Sequence, residues 1–556
     1  MNRACVEHSH RIDPQQWSVP GNDDRRMSQN NDHRSTPADR ETTPGSRSGS
    51  GGHFYSAQGS TKAGTKDISR RSLLALGGVV GVGLVVGAIA VDSQRTDNSK
   101  GSLSQASTDT LAFASTDITT ARWVTTQTGE TAPGYLFVTP LTSSSCGTIS
   151  ENSGQPVWMA NPGVSMSDLQ VQQYNGNPVL TYWSGTRVRG YGRGVGNILD
   201  AEYKQIAKVQ AAPGLQADLH EFLLTPQGTA LLIAYVAKPA DLSTVHGPTS
   251  GFVLDCHVNE VDIQTGKVLL DWSAHQHVSP DETYASVKNA EDGDGKSASR
   301  AFDAYHLSSI DFDDQSLYIS ARNTHTVYRI NRTTGHVEWR LGGKKSDFTV
   351  AKDAQFAWQN HFRLRPDGMA SLFNNRTRDA KADVRSAAFL LTLDTSTMKA
   401  GLQKKFEHGA IVSTDMGSAD LLENGNWLVG WGTQPLVTEH APDGKAVYTA
   451  TLADSPSDRA FRSAWVASPQ TAPAISIVHG SGRKMLVDVS WNGATEVRNW
   501  QFMTGASPST MQPVKVVPKS DFETAGTVPR APYAAAQALG LNGNVLATTP
   551  VAASTD

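Results

Sequence analysis

One hairpin pattern recurs along most of this sequence: a short apolar strand, a tight turn containing glycine, asparagine or aspartate, and a second apolar strand. Dipeptides such as Asn-Gly and Asp-Gly favour the positive φ angles that tight hairpins require. The turns fall at Gly176, Gly228, Asp314, Gly368, Gly425, Gly482 and Gly543. Their successive spacings are 52, 86, 54, 57, 57 and 61 residues, and the one long step contains a polar insertion, residues 279–300.

A second kind of turn alternates with the first and leads into a strand that ends in tryptophan, as from Gly266 to Trp272 and from Gly335 to Trp339. Two hairpins per repeat give four strands, which is the blade of a β-propeller. The sequence therefore predicts an all-β fold, a six-bladed β-propeller over residues 125–556, with seven blades as the alternative count. A pair of β-sandwiches is the alternative architecture. The 49 glycines of the chain fit many tight turns.

The N-terminal part has a different character. Residues 1–68 are polar and predict a disordered cytoplasmic leader. In the segment 69–91, Arg70 and Arg71 directly precede an uncharged, mildly apolar run, which is typical of a twin-arginine export signal. The run predicts one hydrophobic helix, either cleaved after Ala90 or retained as a signal anchor in the membrane. Residues 92–124 form a linker. We therefore expect the twin-arginine export machinery as a partner and a body that is secreted or anchored at the cell membrane by residues 72–91.

Charge and cysteine content narrow the function further. The formal net charge of −4 gives no reason to expect a nucleic-acid partner. The chain has no CxxC pair, and beyond the apolar segment only Cys146 and Cys256 remain. They either form one disulfide in an oxidising compartment or are two unpaired thiols. Motifs of serine hydrolases, nucleotide triphosphatases and dinucleotide enzymes are missing, so we expect no cofactor.

Histidines at the starts of predicted strands are the candidates for chemistry. His220, His306 and His361 occupy equivalent points in successive repeats, and His325 follows one strand and precedes the next. Because equivalent positions of propeller blades face the same axis, these rings are expected to converge. Each histidine has a plain alternative role, which is to hydrogen-bond backbone and hold a blade in place. Their spacing does not fit a metal site, so we expect no metal.

Groups that can bind an anion lie near these histidines. A guanidinium presents a fork of donors that suits a sulfate or phosphate oxyanion. The candidates are Arg322, Arg363, Asn374, Asn375, Arg376 and Arg378.

Several stretches together resemble the arylsulfotransferase family, in particular its actinobacterial and fungal branch. They include Asp218-Leu-His-Glu-Phe222, Phe302-Asp-Ala-Tyr-His-Leu-Ser-Ser-Ile310, Ser320-Ala-Arg-Asn-Thr-His325, Trp358-Gln-Asn-His361, Ser371-Leu-Phe-Asn-Asn375 and Asn424-Gly-Asn-Trp-Leu-Val-Gly-Trp-Gly432. The resemblance extends over about residues 130–550, and the block from 302 to 375 is its most specific part.

The resemblance implies a six-bladed propeller that moves a sulfuryl group from an aryl sulfate to a phenol through a transiently sulfated histidine. By motif position, His306 and His361 match channel histidines of the family, and Arg376 or Arg378 matches an anion-binding arginine. We therefore expect His306 and His361 to be catalytic. The expected substrate-binding residues are His220, Arg322, Asn375, Arg376 and Arg378. The sequence departs from the family in two places, and one of them is Asn374, which stands where the family commonly has aspartate. The better-studied bacterial enzymes carry their sulfated histidine in a later blade, and the matching residues 415–422 contain none.

Two other functions remain open at this point. The missing histidine favours a non-catalytic, extracellular β-propeller that serves as a binding platform. The Thr-Gly-x-Val-x-Trp motif also occurs in quinone-dependent dehydrogenase propellers, although the adjacent cysteines and calcium-binding carboxylates of those enzymes are not evident here.

Overall fold

The computed structural model describes residues 110–141, 147–161, 163–366, 368–379, 383–453, 455–479 and 482–554. Within these ranges the chain is nearly all β. Its helices are one α-helix, Ala274–His277, and four 3-10 helices, Ser243–Val245, Pro280–Glu282, Ala298–Arg300 and Lys352–Ala354. None of the described helices is long and apolar enough to cross a membrane. The leader, the segment 69–91, most of the linker and Cys146 lie outside the described residues, and Cys256 is a buried free thiol.

Four antiparallel four-stranded units follow one another along the chain. Unit 1 comprises Met166–Tyr174, Asn177–Val188, Tyr191–Leu199 and Gln205–Val209. Unit 2 comprises Ala217–Leu224, Thr229–Ala240, Gly251–Asp262 and Val268–Ser273. Unit 3 comprises Leu307–Phe312, Ser316–Ala321, Thr326–Asn331 and Val337–Gly342. Unit 4 comprises Asn360–Arg365, Met369–Asn374, Ala387–Asp394 and Lys399–Phe406, with Thr349–Val350 added in parallel. Units 1 and 2 form one continuous sheet, but a single residue pair, Ala217 with Gly194, joins them.

Two further units combine strands from opposite ends of the domain. Unit 5 comprises Ser418–Leu421, Trp427–Gly430, Leu436–His440 and Ala446–Leu452, and the early strand Trp123–Gln127 pairs with the last of these. Unit 6 begins with Ser457–Ser463 and continues with the early strands Tyr135–Pro140, Thr148–Ser150 and Pro156–Met159. A short pair, Thr110–Leu111 with Thr120–Ala121, precedes these strands.

The C-terminal residues form two more sheets outside the six units. One contains Ala474–His479, Lys484–Ser490 and Glu523–Pro529. The other contains Asn499–Gly505, Gln512–Pro518, Tyr533–Leu539, Val545–Thr548 and Ala552–Ala553. The strand Asn499–Gly505 alternates buried and half-buried residues, as a strand with one face on a core should.

The recurring turns connect strands as the sequence predicts. Gly176, Gly228, Gly368 and Gly425 each lie between two antiparallel strands and have φ between 70° and 83°. The last two turns, at Gly482 and Gly543, belong to the C-terminal sheets. The even spacing of the turns therefore continues beyond the six units.

The first strands of the six units contact one another in chain order, and the first strand of unit 6 also contacts that of unit 1. Adjacent units share apolar cores, as where Trp339 of unit 3 and Phe389 of unit 4 lie in one buried cluster. Because these first strands are covered on both sides, they show runs of consecutive buried residues instead of alternation; Leu307–Ile310 is one such run.

A cluster of buried charges ties these first strands together. Arg459 of unit 6 donates to Asp168 of unit 1 at 3.0 Å and to Glu221 of unit 2 at 2.9 Å. Arg363 of unit 4 also donates to Glu221, at 2.9 Å. Burial raises the pKa of Asp168 to about 6 despite Arg459. Burial alone would raise the pKa of Glu221 too, but Arg363 and Arg459 outweigh that effect and lower it. Glu221 is therefore held as an anion by two cations.

Candidate functional site

A cavity of about 470 Å³ lies where several inter-strand loops meet, and we call it the histidine pocket. Its volume falls in the range of ordinary small-molecule sites. The residues that line it are Arg189, Gly190, Glu291, Asp292, Asp303, His306, Arg322, Arg378, Thr414, Asp415 and Thr433. It therefore combines four carboxylates, three guanidinium groups and an imidazole.

The first hairpin of unit 3 places two of these side chains. His306 directly precedes the first strand, and Arg322 directly follows the second. Antiparallel pairing of Leu307 with Ala321 brings the two ends together, and the Arg322 amide donates to the His306 carbonyl at 2.8 Å. An ordinary hairpin therefore brings His306 and Arg322 together, although they are not adjacent in the sequence.

The two ring nitrogens of His306 differ in their hydrogen bonding. Its Nδ1 lies 2.6 Å from Oδ2 of Asp303, and its buried Nε2 has no hydrogen-bond partner in the described part of the chain. Burial and the nearby Arg322 lower the pKa of His306, although Asp303 acts in the opposite direction. A neutral ring with its proton on Nδ1 carries a lone pair on Nε2, which is the form of imidazole that acts as a nucleophile.

His220 lies next to His306, but its pKa is shifted in the opposite direction. The two ring centroids are 5.1 Å apart, and Nδ1 of His220 lies 2.5 Å from Oδ2 of Asp218. Burial lowers the pKa of His220, but the Asp218 carboxylate outweighs it and the net pKa is raised. Opposite pKa shifts in two adjacent titratable groups are the usual arrangement of an acid and a base or nucleophile.

The arginines of the pocket already have acidic neighbours. Nη1 of Arg322 donates to Asp415 at 2.5 Å and its Nε donates to Asn323 at 3.2 Å, whereas its Nη2 has no partner among the described residues. Arg378 pairs with Asp292 at 2.8 Å and with Glu291 at 3.2 Å, both from the polar insertion. Arg322 and Asp415 each shift the other's pKa toward the charged form.

His361 lies away from this pocket. It is in the first strand of unit 4, and its Nδ1 is 3.3 Å from both the nitrogen and the oxygen of Ala419 in unit 5. Its ring centroid is 5.9 Å from that of Phe461, and its Nε2 is buried without a partner in the described residues. Burial, followed by Arg363 and Arg459, lowers the pKa of His361 well below its ordinary value. His361 is therefore neutral but does not line the histidine pocket.

Four of the six predicted anion-binding residues also lie outside this pocket, namely Arg363, Asn374, Asn375 and Arg376. The amide of Asn375 donates to the carbonyls of Ser413 and Met416 at 3.0 and 3.1 Å, so it ties two loops together. Arg376 lines a different cavity, together with His325. Of the site residues predicted from sequence, His306, Arg322 and Arg378 line the pocket, and His220 does not line it but lies against the His306 ring.

Backbone strain accompanies these positions. His306, His361 and Arg376 are not glycines, yet their φ angles are 52°, 53° and 63°. Such conformations cost about 1–3 kcal/mol each and are concentrated at functional sites, where the surrounding structure enforces them.

Sequence reasoning did not assign roles to the carboxylates that orient the pocket. Asp218 and Asp303 precede His220 and His306 by two and three residues, and this spacing was a usable signal. Asp415 had no such signal. It lies in the stretch that lacks the expected histidine and binds Arg322 from a loop 93 residues away.

Comparison with known proteins gives remote matches to solved structures and one match to a family model. Similar solved structures include a protein of unknown function from Bacteroides caccae, with 11% identity and a TM-score of 0.36 over 59% of this chain and 98% of that one. Another is the periplasmic gluconolactonase PpgL of Pseudomonas aeruginosa, with 14% identity and a TM-score of 0.36 over 60% and 99%. No curated protein matches the sequence. The family model described as arylsulfotransferase (ASST) matches residues 170–453, more than half of the chain, and the protein belongs to this family.

Proposed function

We propose that this protein transfers a sulfuryl group from an aryl sulfate to a phenol in the histidine pocket, with His306 as the nucleophile. One observation carries the proposal: the Nε2 atom of His306 is buried and has no hydrogen-bond partner among the residues that the structure describes, while Asp303 holds Nδ1. The family supports aryl substrates in general terms.

The reaction proceeds in two displacements at sulfur. The Nε2 lone pair of His306 attacks the sulfur of the donor, the sulfur–oxygen bond to the aryl group breaks, and the phenolate leaves. The phenolate takes a proton from His220, whose raised pKa favours the protonated ring. An acceptor phenol then attacks the sulfur of the N-sulfated His306, the sulfur–nitrogen bond breaks, and His220 recovers a proton from the phenol.

Arginine side chains stabilise the sulfuryl oxygens in this scheme. Nη2 of Arg322 is available, and its other donors are fixed by Asp415 and Asn323. A guanidinium that is already oriented stabilises developing charge without reorganising. Arg378 adds a second cation in the same cavity.

The first experiment measures nitrophenolate release from 4-nitrophenyl sulfate with phenol as acceptor. We expect His306→Gln to abolish release and His361→Gln to retain most of it, because only His306 lines the pocket. Mass spectrometry of protein quenched under alkaline denaturing conditions, which spare the acid-labile sulfur–nitrogen bond, should find one added SO₃ group on the peptide containing His306. If His361→Gln abolished activity and His306→Gln did not, the nucleophile would instead be assigned to His361 in unit 4.

A second candidate function is a non-catalytic binding platform. The observation that favours it is that Asp415, Asp292 and Glu291 already neutralise Arg322 and Arg378. Binding of 4-nitrophenyl sulfate to the wild-type chain without any turnover would support this function, and measurable turnover would exclude it.

We also propose that the six units form a closed six-bladed propeller. The succession of contacts between first strands supports closure, as does the pairing of Trp123–Gln127 and Tyr135–Pro140 with late strands. A chain that starts at residue 128 lacks Trp123–Gln127, the fifth strand of unit 5, and should therefore have a lower midpoint of thermal unfolding. An unchanged midpoint would contradict the role of that strand in closure.

We propose that the protein acts outside the cytoplasm. Support comes from the sequence alone, where Arg70 and Arg71 precede the apolar run to Val91. Replacing both arginines with lysine should block export of the full-length chain in a twin-arginine-dependent assay. Unchanged export would contradict this route.

A further inference from the structure

A second cavity, of about 490 Å³, lies between units 3 and 4 and shares no lining residue with the histidine pocket. The segment after the last strand of unit 3 and the segment before the first strand of unit 4 form much of its wall. We call it the aromatic pocket, because Tyr284, Phe348, Phe356 and His325 line it.

The aromatic walls are fixed by close packing. The Tyr284 ring lies parallel to that of His325 with centroids 4.0 Å apart, and Trp358 meets His325 edge-on at 4.6 Å. Phe348 and Phe356 are buried. An added Cβ at Gly342 would lie 2.7 Å from Phe356, so only glycine allows this approach. These surfaces suit a flat aromatic ring.

His325 gives this cavity a neutral polar group. Its Nε2 is buried and has no hydrogen-bond partner within the described ranges. Burial, then the charges of Lys344 and Arg322, lowers the pKa of His325 to about 3. The ring therefore remains uncharged at ordinary pH, and its Nε2 can donate or accept one hydrogen bond with a ligand.

Arg376 supplies a cation that pairs with no acid among the described residues. It is exposed, lines the aromatic pocket, and makes no ion pair in the described part of the structure. Arg378, only two residues away, is held by two carboxylates in the histidine pocket. The Arg376 amide is fixed by hydrogen bonds to the Ala357 carbonyl at 2.9 Å and to Oδ1 of Asn374 at 3.1 Å. The backbone thus holds this arginine at the cavity in a left-handed conformation with φ of 63°.

We propose that the aromatic pocket is a second binding site, for a small aromatic molecule that carries one anionic oxygen group, such as an aryl carboxylate. The ring of the ligand packs among Tyr284, Phe348 and Phe356, and its anionic group pairs with Arg376. The site is independent of sulfuryl transfer and needs no reaction at His306.

The test is isothermal titration of benzoate into the full-length chain. We expect Arg376→Gln to weaken binding roughly tenfold, because it removes the charged partner of the carboxylate. Arg378→Gln is the matched control, since it makes the same change in the histidine pocket, and it should leave benzoate affinity within about twofold. Benzyl alcohol, which has no charge, should bind the wild type and Arg376→Gln equally.

Other outcomes overturn the proposal. Absence of benzoate binding to the wild type would do so, as would unchanged affinity in Arg376→Gln. A loss with Arg378→Gln as large as that with Arg376→Gln would place benzoate in the histidine pocket. Tyr284→Ala, at a half-exposed position, should also weaken binding, and His306→Gln should not. This last variant separates the proposal from sulfuryl transfer, because it abolishes the proposed reaction and leaves the second site intact.

Discussion

The replacement Asp303→Asn tests the role of His306 most directly. Asp303 holds Nδ1 of His306 through Oδ2 at 2.6 Å, and its other oxygen, Oδ1, is buried without a partner in the described residues. An asparagine that kept its oxygen toward Nδ1 would leave its NH₂ group at this unpartnered position. Burying an unsatisfied donor costs about 1–3 kcal/mol. The amide is therefore expected to turn its NH₂ group toward the imidazole.

That orientation places the proton of the imidazole on the wrong nitrogen. Nδ1 must then accept a hydrogen bond, so the ring proton moves to Nε2 and removes the lone pair that attacks sulfur. The corresponding change in Ser-His-Asp enzymes lowers kcat about 10⁴-fold. If the amide instead keeps its oxygen toward the ring, weakening a charged hydrogen bond to a neutral one costs about 1.4 kcal/mol, or about tenfold. We expect kcat/KM to fall about 10³-fold, with tenfold as the smallest loss.

The assay compares kcat/KM for 4-nitrophenyl sulfate in the wild type, Asp303→Asn and Glu291→Gln. Glu291 lines the same pocket, but its side chain is 82% exposed, so its replacement controls for loss of one negative charge. The control should remain within about threefold of the wild type, since exposed charges interact weakly. Circular dichroism verifies that both variants fold. If Asp303→Asn retained wild-type kcat/KM, the reasoning about His306 would be refuted.

Three further predictions concern the site and the fold. With phenyl sulfate as donor, kcat/KM should rise with pH below 6.5 as His306 becomes neutral and fall above 6.5 as His220 loses its proton. The variant His220→Gln should no longer show the fall at high pH. It should also lower kcat/KM more for phenyl sulfate than for 4-nitrophenyl sulfate, whose leaving group is more acidic. Arg322→Lys should lower kcat/KM about tenfold or more, because lysine lacks the planar fork of donors, and unaltered steady-state kinetics would contradict this. Arg459→Met should lower the free energy of unfolding, measured by urea denaturation, by about 3–5 kcal/mol, because it removes an ion-pair partner from the buried carboxylates of Glu221 and Asp168. A change below about 1 kcal/mol would contradict the interpretation that these buried charges stabilise the fold.

Local sequence patterns predicted the hairpins well because each turn is decided by a few adjacent residues. Gly176 and Gly228 need positive φ, and each connects the two strands expected. The sharing of strands between distant segments had no comparable signal. Nothing in the residues of Trp123–Gln127 indicates that they pair with Ala446–Leu452.

The candidate site was predictable to the extent that equivalent positions in the repeat place side chains similarly. His220 lies in the first half of the first strand of unit 2, His306 directly precedes the first strand of unit 3, and their rings meet. His361 occupies the corresponding strand of unit 4, yet its ring contacts Ala419 of unit 5. Arg376 and Arg378 are two residues apart and line different cavities. Such separations depend on loop conformation, which periodicity does not encode.

The pairing of Tyr135–Pro140 with Ser457–Ser463 has a consequence for how the chain is made. The earliest strands of the domain leave the ribosome long before their partners exist, and until then they present unsatisfied edges to other chains. Contacts this distant in sequence also slow folding. Maturation of this protein should therefore depend on holding its first strands apart until synthesis has passed residue 463, and chains that stop short of that point should aggregate.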